Sequence, residues 1–350
     1  GAATRAGHAV LQEGGNAADA AAAALLVLSI CDPAGRELFC FGGEVPILIY
    51  DPAGKKVEVL AGQGAAPGLA TQKYFASIGG IPRSGSGAAA VPAVLDACVT
   101  LLVRHGTQRF SDTATAAMEQ LEAGGEPWQQ NLLKTLKTLC AAESAARGSR
   151  SERLAAVSDV FYRGSIARDL DAWSRKNKAL LRYEDLAAHR TRVEQPLATE
   201  YRDHRIYKCG PWTQGPYLLQ TLQLLEAVTG FEYRHGDADT IHTVIEAMKL
   251  ALADRDAYYA DPLFAEVPLQ ALFSKDYVAI RRPLLDPKHA SLQLRPGDPK
   301  QLQPLLAGYH WDTSSESPVH DTTNCVTADH QGRMVVATPS GWAGALAGET

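Results

Sequence analysis

Residues 321–342 read DTTNCVTADHQGRMVVATPSGW. Two runs with β-branched and apolar residues flank the segment Asp329–Gly332, whose aspartate and glycine are typical of a tight turn. The stretch therefore predicts a β-hairpin, and it places Thr322 directly after an acid at the entry to the first strand.

The register of this hairpin brings two hydroxyl-bearing positions together. If the turn centres near His330 and Gln331, Thr322 lies opposite about Pro339 or Ser340 on the second strand. A threonine at a strand start, beside a second hydroxyl and after a long irregular segment, is the layout that a self-processing N-terminal nucleophile requires.

The chemistry of such a site needs no separate base. The Thr322 hydroxyl would attack the Asp321 carbonyl, the acyl group would shift from nitrogen to oxygen, and hydrolysis would free Thr322 as a new N-terminus. Its α-amine, with an ordinary pKa of ~8, can then act as general base for its own hydroxyl. The residues alone also allow a structural strand in which Asp321 and Asn324 make turn hydrogen bonds.

The rest of the chain mixes helices with short strands. An alanine-rich helix is predicted over Ala3–Ile30, interrupted at Gly14–Gly15, with Asn16 as N-cap of its second part. A β-hairpin turns at Asp51–Gly54, and a Gly- and Pro-rich loop follows it. Residues 91–157 have helical periodicity, with an exposed connection in SAARGSRSER.

The second half of the chain predicts a hairpin, a long helix and an irregular segment. Two strands are joined by a turn at Tyr201–His204, and a helix spans Asp239–Ala260 with Asp239 as its cap. Residues 281–318 are polar and rich in proline, which predicts an exposed, mobile segment.

Composition limits the classes of partner. The chain has 350 residues, 46% of them hydrophobic, and its net charge of −5 is spread without a dense basic block, which argues against nucleic acid and membrane as partners. This length fits about two domains or one large α/β unit. Six cysteines without a CxxC pair predict buried free thiols rather than disulfides. A cytoplasmic location is slightly favoured, and a periplasmic or secreted one stays open because the N-terminus looks truncated.

Six stretches in order resemble the γ-glutamyltransferase (γ-glutamyltranspeptidase) family. They are EGGNAADAAAAALLVLSICDP, GAAPGLAT, DVFYRGSIARDL, YEDLAAHRTRVEQPLATEYRDHRIYKCGPWTQGPYLLQTLQLLE, EAMKLALADRDAYYADP and DTTNCVTADHQGRMVVATPSGW. The resemblance covers nearly the whole chain.

This resemblance implies an α/β (α+β) Ntn-hydrolase fold, a four-layer αββα sandwich made from a precursor that cleaves itself into two subunits. Residues 1–321 would belong to the large subunit, and 322–350 would begin the small one. The resemblance implies that Thr322 is both the cleavage point and the nucleophile. It makes Thr323 a hydrogen-bonding neighbour and Ser340 the hydroxyl that supports the nucleophile.

Three positions depart from the family pattern. The family clamps the α-carboxylate of a γ-glutamyl substrate with an arginine at the place of Gln63, and an amide cannot form that bidentate charged pair. Asn324 and Trp342 also differ from the family motif and are expected to contact substrate. These changes occur in the amidohydrolase branch, which includes oxamate-type amidases and acylases.

Three functions therefore stay open: two are enzymatic activities of the family, and one is a binding function without catalysis. The first is transfer of a γ-glutamyl group from a glutathione-type amide to water or an amine through an acyl-enzyme at Thr322. The second is hydrolysis of a non-glutamyl small amide because of Gln63. The third is an inactive, family-derived binding protein. The expected partners are the amide substrate, an acyl acceptor and the chain's own small subunit, with a homodimer of such heterodimers left open.

No metal or cofactor is expected. His242 and Glu246 share a helix face at a spacing that metal ligands use, but neither a third ligand nor an HExxH pattern accompanies them. A structural pair on that face is the favoured interpretation.

Overall fold

The computed structural model describes residues 1–31, 41–82, 85–228, 230, 232–309 and 323–341. Two compact units are present: one comprises residues 1–195 with 319–350, and the other comprises residues 196–318. This division concerns packing, whereas the predicted division between residues 321 and 322 concerns cleavage and stays a prediction.

The described residues form both helices and antiparallel strands. The α-helices are α1 (Ala2–Gln12), α2 (Ala17–Cys31), α3 (Gln72–Ser77), α4 (Val94–His105), α5 (Phe110–Glu122), α6 (Pro127–Ala145), α7 (Arg150–Tyr162), α8 (Ser165–Lys176), α9 (Tyr183–Ala188), α10 (Gly215–Glu226), α11 (Ala238–Tyr258), α12 (Leu269–Leu272) and α13 (Lys275–Arg281). The strands are β1 (Val45–Asp51), β2 (Lys56–Gly62), β3 (Arg192–Glu194), β4 (Leu197–Tyr201), β5 (His204–Lys208), β6 (Cys325–Ala328) and β7 (Met334–Ala337). None of these helices is long and apolar enough to cross a membrane.

The break between α1 and α2 is confirmed where the sequence predicts it. Gly14 has a φ of +88°, a conformation that glycine adopts without steric cost. The Asn16 side-chain oxygen accepts hydrogen bonds from the backbone N–H groups of Ala18 and Asp19, at 2.8 and 3.2 Å. Asn16 is therefore the N-cap of α2, as expected.

Five of the described strands form one sheet in the order β3-β2-β1-β7-β6, with antiparallel neighbours throughout. Alternate residues of β1 (Val45, Ile47 and Ile49) are fully buried in a core shared with α2 and α4. Burial of each such side chain stabilises the fold by about 1.5–3 kcal/mol. The opposite face is more open, since Val326 on β6 is 68% exposed.

A charged cluster anchors β2 to the C-terminal end of α4. The Glu58 side chain is 7% exposed. It accepts hydrogen bonds from Lys56 Nζ at 2.9 Å and from both Arg104 Nε and Nη2, and it lies 3.0 Å from His105 Nε2. Burial raises the pKa of the Glu58 carboxyl, but these neighbours outweigh burial and lower the pKa to about 2.

In the second unit, the β4–β5 hairpin turns at Tyr201–His204 as predicted, whereas the predicted cap of the long helix is wrong. Helix α11 begins at Ala238, and the Asp237 side chain, not that of Asp239, accepts the N-terminal hydrogen bond, from the Thr240 N–H at 3.0 Å. A capping side chain reaches that amide from the position directly before the helix, which Asp237 occupies.

The described part of the predicted mobile segment, residues 282–309, forms no α-helix or strand, as predicted, but it is not simply exposed. Arg281, only 1% exposed, lies 3.3 Å from Asp254 and donates hydrogen bonds to the carbonyls of Pro304 and Arg295, both at 2.6 Å. The Gly297 N–H donates to the same Asp254 carboxylate at 2.9 Å. A buried charged pair therefore fastens this segment to α11.

Candidate active site at the end of the five-stranded sheet

The predicted hairpin is formed by β6 and β7, with Cys325 opposite Ala337. The Asp329 carboxylate closes the turn by accepting hydrogen bonds from the N–H groups of Gln331 and Arg333, both at 3.0 Å. The other Asp329 oxygen accepts from the Ala17 N–H at 3.1 Å, which ties the turn to the start of α2.

The same register continues beyond the strand ends. Cys325 opposite Ala337 implies Asn324 opposite Thr338, and the Thr338 hydroxyl does donate to the Asn324 side-chain oxygen at 3.3 Å. On the other side of β7, Ser340 pairs with Glu44 through two backbone hydrogen bonds of 2.8 and 3.0 Å. Ser340 is thus held at the end of the sheet, opposite Glu44, which is the residue just before β1.

Gln63 completes a row of side chains across three strands. Val45 pairs with Gly62, so Glu44 and Gln63 are the next opposed positions, and the Gln63 side chain donates a hydrogen bond to the Glu44 carboxylate. We call Gln63, Glu44 and Ser340 the sheet-end row. Val45 points into the core, so the adjacent Glu44 side chain points to the open face.

Two glycines fix the backbone on either side of Gln63. A Cβ on Gly62 would lie 2.2 Å from the Val45 carbonyl oxygen, and one on Gly64 would lie 1.7 Å from the carbonyl oxygen of Val91. Neither distance is compatible with a side chain, so both positions require glycine. The loop after them is held by the Gly68 N–H, which donates to Asp185 at 2.8 Å.

The electrostatics of the row centre on Glu44. Partial burial raises the pKa of the Glu44 carboxyl, and the hydrogen bond from Gln63 acts in the opposite direction. A carboxyl group at this place accepts hydrogen bonds when ionised and repels other anions.

The neighbouring thiols are not nucleophiles. Burial raises the pKa of Cys325 to about 11, and burial together with Cys325 raises that of Cys98 to about 12. Both are almost entirely protonated near neutral pH, and thiols do not attack in that form. The prediction of free cysteines is confirmed for Cys98, Cys140 and Cys325.

The structure brings three of the predicted site residues to one end of the sheet: Gln63, Asn324 and Ser340. Thr323 is half-buried immediately before Asn324. Asp321, Thr322 and Trp342 lie outside the described residues. Their predicted roles therefore stay predictions.

Glu44 is the site residue that sequence reasoning missed. Continuing the register of the hairpin around Asp51–Gly54 by one position would have paired Glu44 with Gln63. The pairing of Glu44 with Ser340, however, joins segments almost 300 residues apart, and no local pattern reports it.

Within the described part of the chain, no three metal-ligating side chains lie close enough together to hold an ion. His242 Nε2 lies 2.7 Å from the Asp286 carbonyl oxygen. Glu246 is paired with Lys249 and with Arg295, the latter at 3.1 Å. These two residues are engaged in separate structural contacts.

Known proteins with similar sequences and structures identify the class to which this fold belongs. The solved structure of LmbA2991T421A is 33% identical, with a TM-score of 0.86 over 98% of this chain and 67% of that one. The glutathione hydrolase proenzyme of Escherichia coli K12 is 29% identical over 96% of this chain, and the acylase ACY 1 proenzyme of Pseudomonas sp. SE83 is 28% identical over 96%. The chain spans 60% and 63% of the lengths of these two curated relatives.

The solved cephalosporin acylase from Bacillus halodurans is 26% identical, with a TM-score of 0.73 over 96% of this chain and 63% of that one. Together with the mixed helices and antiparallel sheets, such structural neighbours define an α+β fold of the Ntn-hydrolase class, which confirms the fold class predicted from the resemblance. The gamma-glutamyltranspeptidase family model matches residues 3–139 and 121–345. The chain belongs to the gamma-glutamyltranspeptidase family.

Proposed function

We propose that the protein is an autoprocessing amidohydrolase and acyltransferase that uses Thr322 as an N-terminal nucleophile. The observation that carries this proposal is the position of Ser340. The β6–β7 pairing ends with Cys325 opposite Ala337, and Ser340 lies three residues beyond Ala337, as Thr322 precedes Cys325 by three residues in the sequence. The hydrogen bond between Thr338 and Asn324 extends the observed pairing by one residue on each strand.

Relatives support the same proposal. Both the glutathione hydrolase and the acylase to which the chain is similar are named proenzymes, that is, precursors. Activation by cleavage fits a threonine that lies inside the chain but needs a free α-amine in order to act.

The reaction runs in two acyl transfers. The freed Thr322 amine takes the proton of the Thr322 hydroxyl as the oxygen attacks the amide carbonyl, and the proton then passes to the departing amine. The resulting ester at Thr322 is cleaved by water or by a second amine, which restores the hydroxyl. Ser340 donates a hydrogen bond that orients the threonine oxygen.

Two classes of acyl group are candidates: γ-glutamyl, which the similarity to a glutathione hydrolase favours, and a non-glutamyl group. The sheet-end row favours the second. Gln63 is neutral and Glu44 is acidic, so neither side chain supplies the cation that a bound α-carboxylate would pair with.

The test is turnover by the full-length, processed protein. Wild type and Thr322→Ser are expected to release aniline from an acyl anilide, with Thr322→Ala inactive and Thr323→Ala retaining most activity. An inactive wild type that still binds acyl amides would support the binding-protein alternative instead. Equal rates for wild type and Thr322→Ala would remove Thr322 from the mechanism.

A further inference from the structure

The sheet-end row also indicates which acyl groups the site selects, an inference that rests on the proposed function. We propose that Glu44 and Gln63 form an acyl-group subsite that accepts a cationic or neutral hydrogen-bond-donating end and rejects a carboxylate. No other described residue of the row bears a formal charge, so Glu44 alone determines the charge of the row.

The first argument is proximity. Glu44 is bonded through its backbone to Ser340 and through its side chain to Gln63, so both lie one strand away from it. Strands in a sheet are about 4.8 Å apart. Glu44 therefore lies about one strand spacing from Ser340, the hydroxyl that the proposed function assigns to supporting the nucleophile.

The second argument is rigidity. Backbone contacts hold each side of Glu44, because the Ala93 N–H donates to the Gly43 carbonyl at 3.0 Å and Val45 pairs with Gly62. The close approaches at Gly62 and Gly64 fix Gln63 in the same way. A fixed polar pair discriminates between ligands more strongly than a mobile one, since it cannot turn away from an unfavourable group.

The third argument is chemical. Gln63 donates one amide hydrogen to Glu44. The Gln63 carbonyl oxygen and the Glu44 carboxylate oxygens are all hydrogen-bond acceptors. An ammonium or carboxamide end can donate to both. A carboxylate end can donate to neither, and it meets a like charge in a partly desolvated place.

The experiment compares five anilides with the same chain length on the full-length protein: 5-aminopentanoyl, glutaramyl, pentanoyl, glutaryl and γ-glutamyl. Processing is measured separately by intact mass. We expect kcat/KM for the aminopentanoyl and glutaramyl anilides to exceed that for glutaryl by about ten-fold or more. Preference for the glutaryl or γ-glutamyl anilide would overturn the inference.

Variants locate the effect. Glu44→Gln is expected to reduce the ratio of aminopentanoyl to glutaryl turnover by about ten-fold, and Gln63→Arg to raise glutaryl turnover. The matched control is Glu122→Gln, which removes an exposed carboxylate paired with Lys137 and should leave the ratio unchanged. An unchanged ratio in Glu44→Gln would contradict the role of Glu44.

The two proposals fail in different ways. A protein that is never processed and turns over none of the anilides contradicts the proposed function, and with it this inference. A protein that is processed and active but selects the anionic acyl groups contradicts the inference alone.

Discussion

Replacing Glu58 with glutamine tests the electrostatic anchor between β2 and α4. In the native protein the Glu58 side chain is 7% exposed and contacts Lys56, Arg104 and His105. Glutamine keeps the size of the side chain but removes the charge. Lys56 and Arg104 are then left facing a neutral amide.

The pKa of Glu58 gives the magnitude. A tenfold change in an acid dissociation constant corresponds to ~1.4 kcal/mol, so a pKa lowered from 4.5 to about 2 corresponds to roughly 3 kcal/mol. The Lys56 and Arg104 side chains are 51% and 40% exposed, so solvent screening reduces this figure, and we expect a loss of about 2 kcal/mol. In a unit of this size, such a loss lowers Tm by roughly 4–8 °C.

The sign of the pH dependence follows from the lowered pKa. Because the folded protein holds the Glu58 carboxylate ionised, its contribution is complete above an ordinary pKa of 4.5 and is lost as pH falls toward 2. The difference in Tm between wild type and Glu58→Gln should therefore fall to about half by pH 3. Glu122→Gln, which breaks an exposed pair, should change Tm by only about 1–2 °C. Equal losses in the two variants, or a loss independent of pH, would refute the argument.

Two further substitutions test packing in each unit. Gly64→Ala places a Cβ against the Val91 carbonyl, so we expect thermal unfolding to show a loss of about 2–3 kcal/mol in the free energy of unfolding. The control Gly87→Ala, whose Cβ would have its nearest contact at 3.5 Å, should be nearly neutral. Similar Tm values for the two variants would contradict the close approach at Gly64. Asp254→Asn leaves the Arg281 charge buried without its counter-ion. We expect the free energy of unfolding to fall by about 3 kcal/mol, which a lower Tm would show. A silent Asp254→Asn would mean that this carboxyl is already neutral, the direction in which burial shifts its pKa.

Local chemistry explains which parts of the fold could be predicted from sequence. The β6–β7 register followed from its turn, since Asp329 caps the turn and Gly332, with a φ of +85°, closes it. The cap of α2 followed from Asn16 in the same way. Each of these features depends on residues within a few positions of one another.

Long-range pairing explains what the sequence did not predict. Arginine is usually exposed, and nothing near Arg281 signals that Asp254, 27 residues earlier, would draw it into the core. Glu44 was overlooked for the same reason, because its role depends on a strand from the other end of the chain. The cap of α11 was misplaced by two residues since Asp237 and Asp239 are chemically equivalent caps.

For the candidate site, the sequence indicated individual residues but not the side chains that lie beside them. Gln63, Asn324 and Ser340 were singled out from the resemblance, and the structure brings them to one end of the sheet. Glu44, which neighbours Gln63 and Ser340, underlies the proposal that the site takes a hydrogen-bond donor instead of an anion.

Intact mass of the full-length protein, before and after long incubation, tests the central claim most directly. We expect wild type and Thr323→Ala to split between Asp321 and Thr322, and Thr322→Ala to remain whole. A wild-type chain that stays whole, or a Thr322→Ala chain that splits at the same bond, would contradict the assignment of Thr322 as the nucleophile.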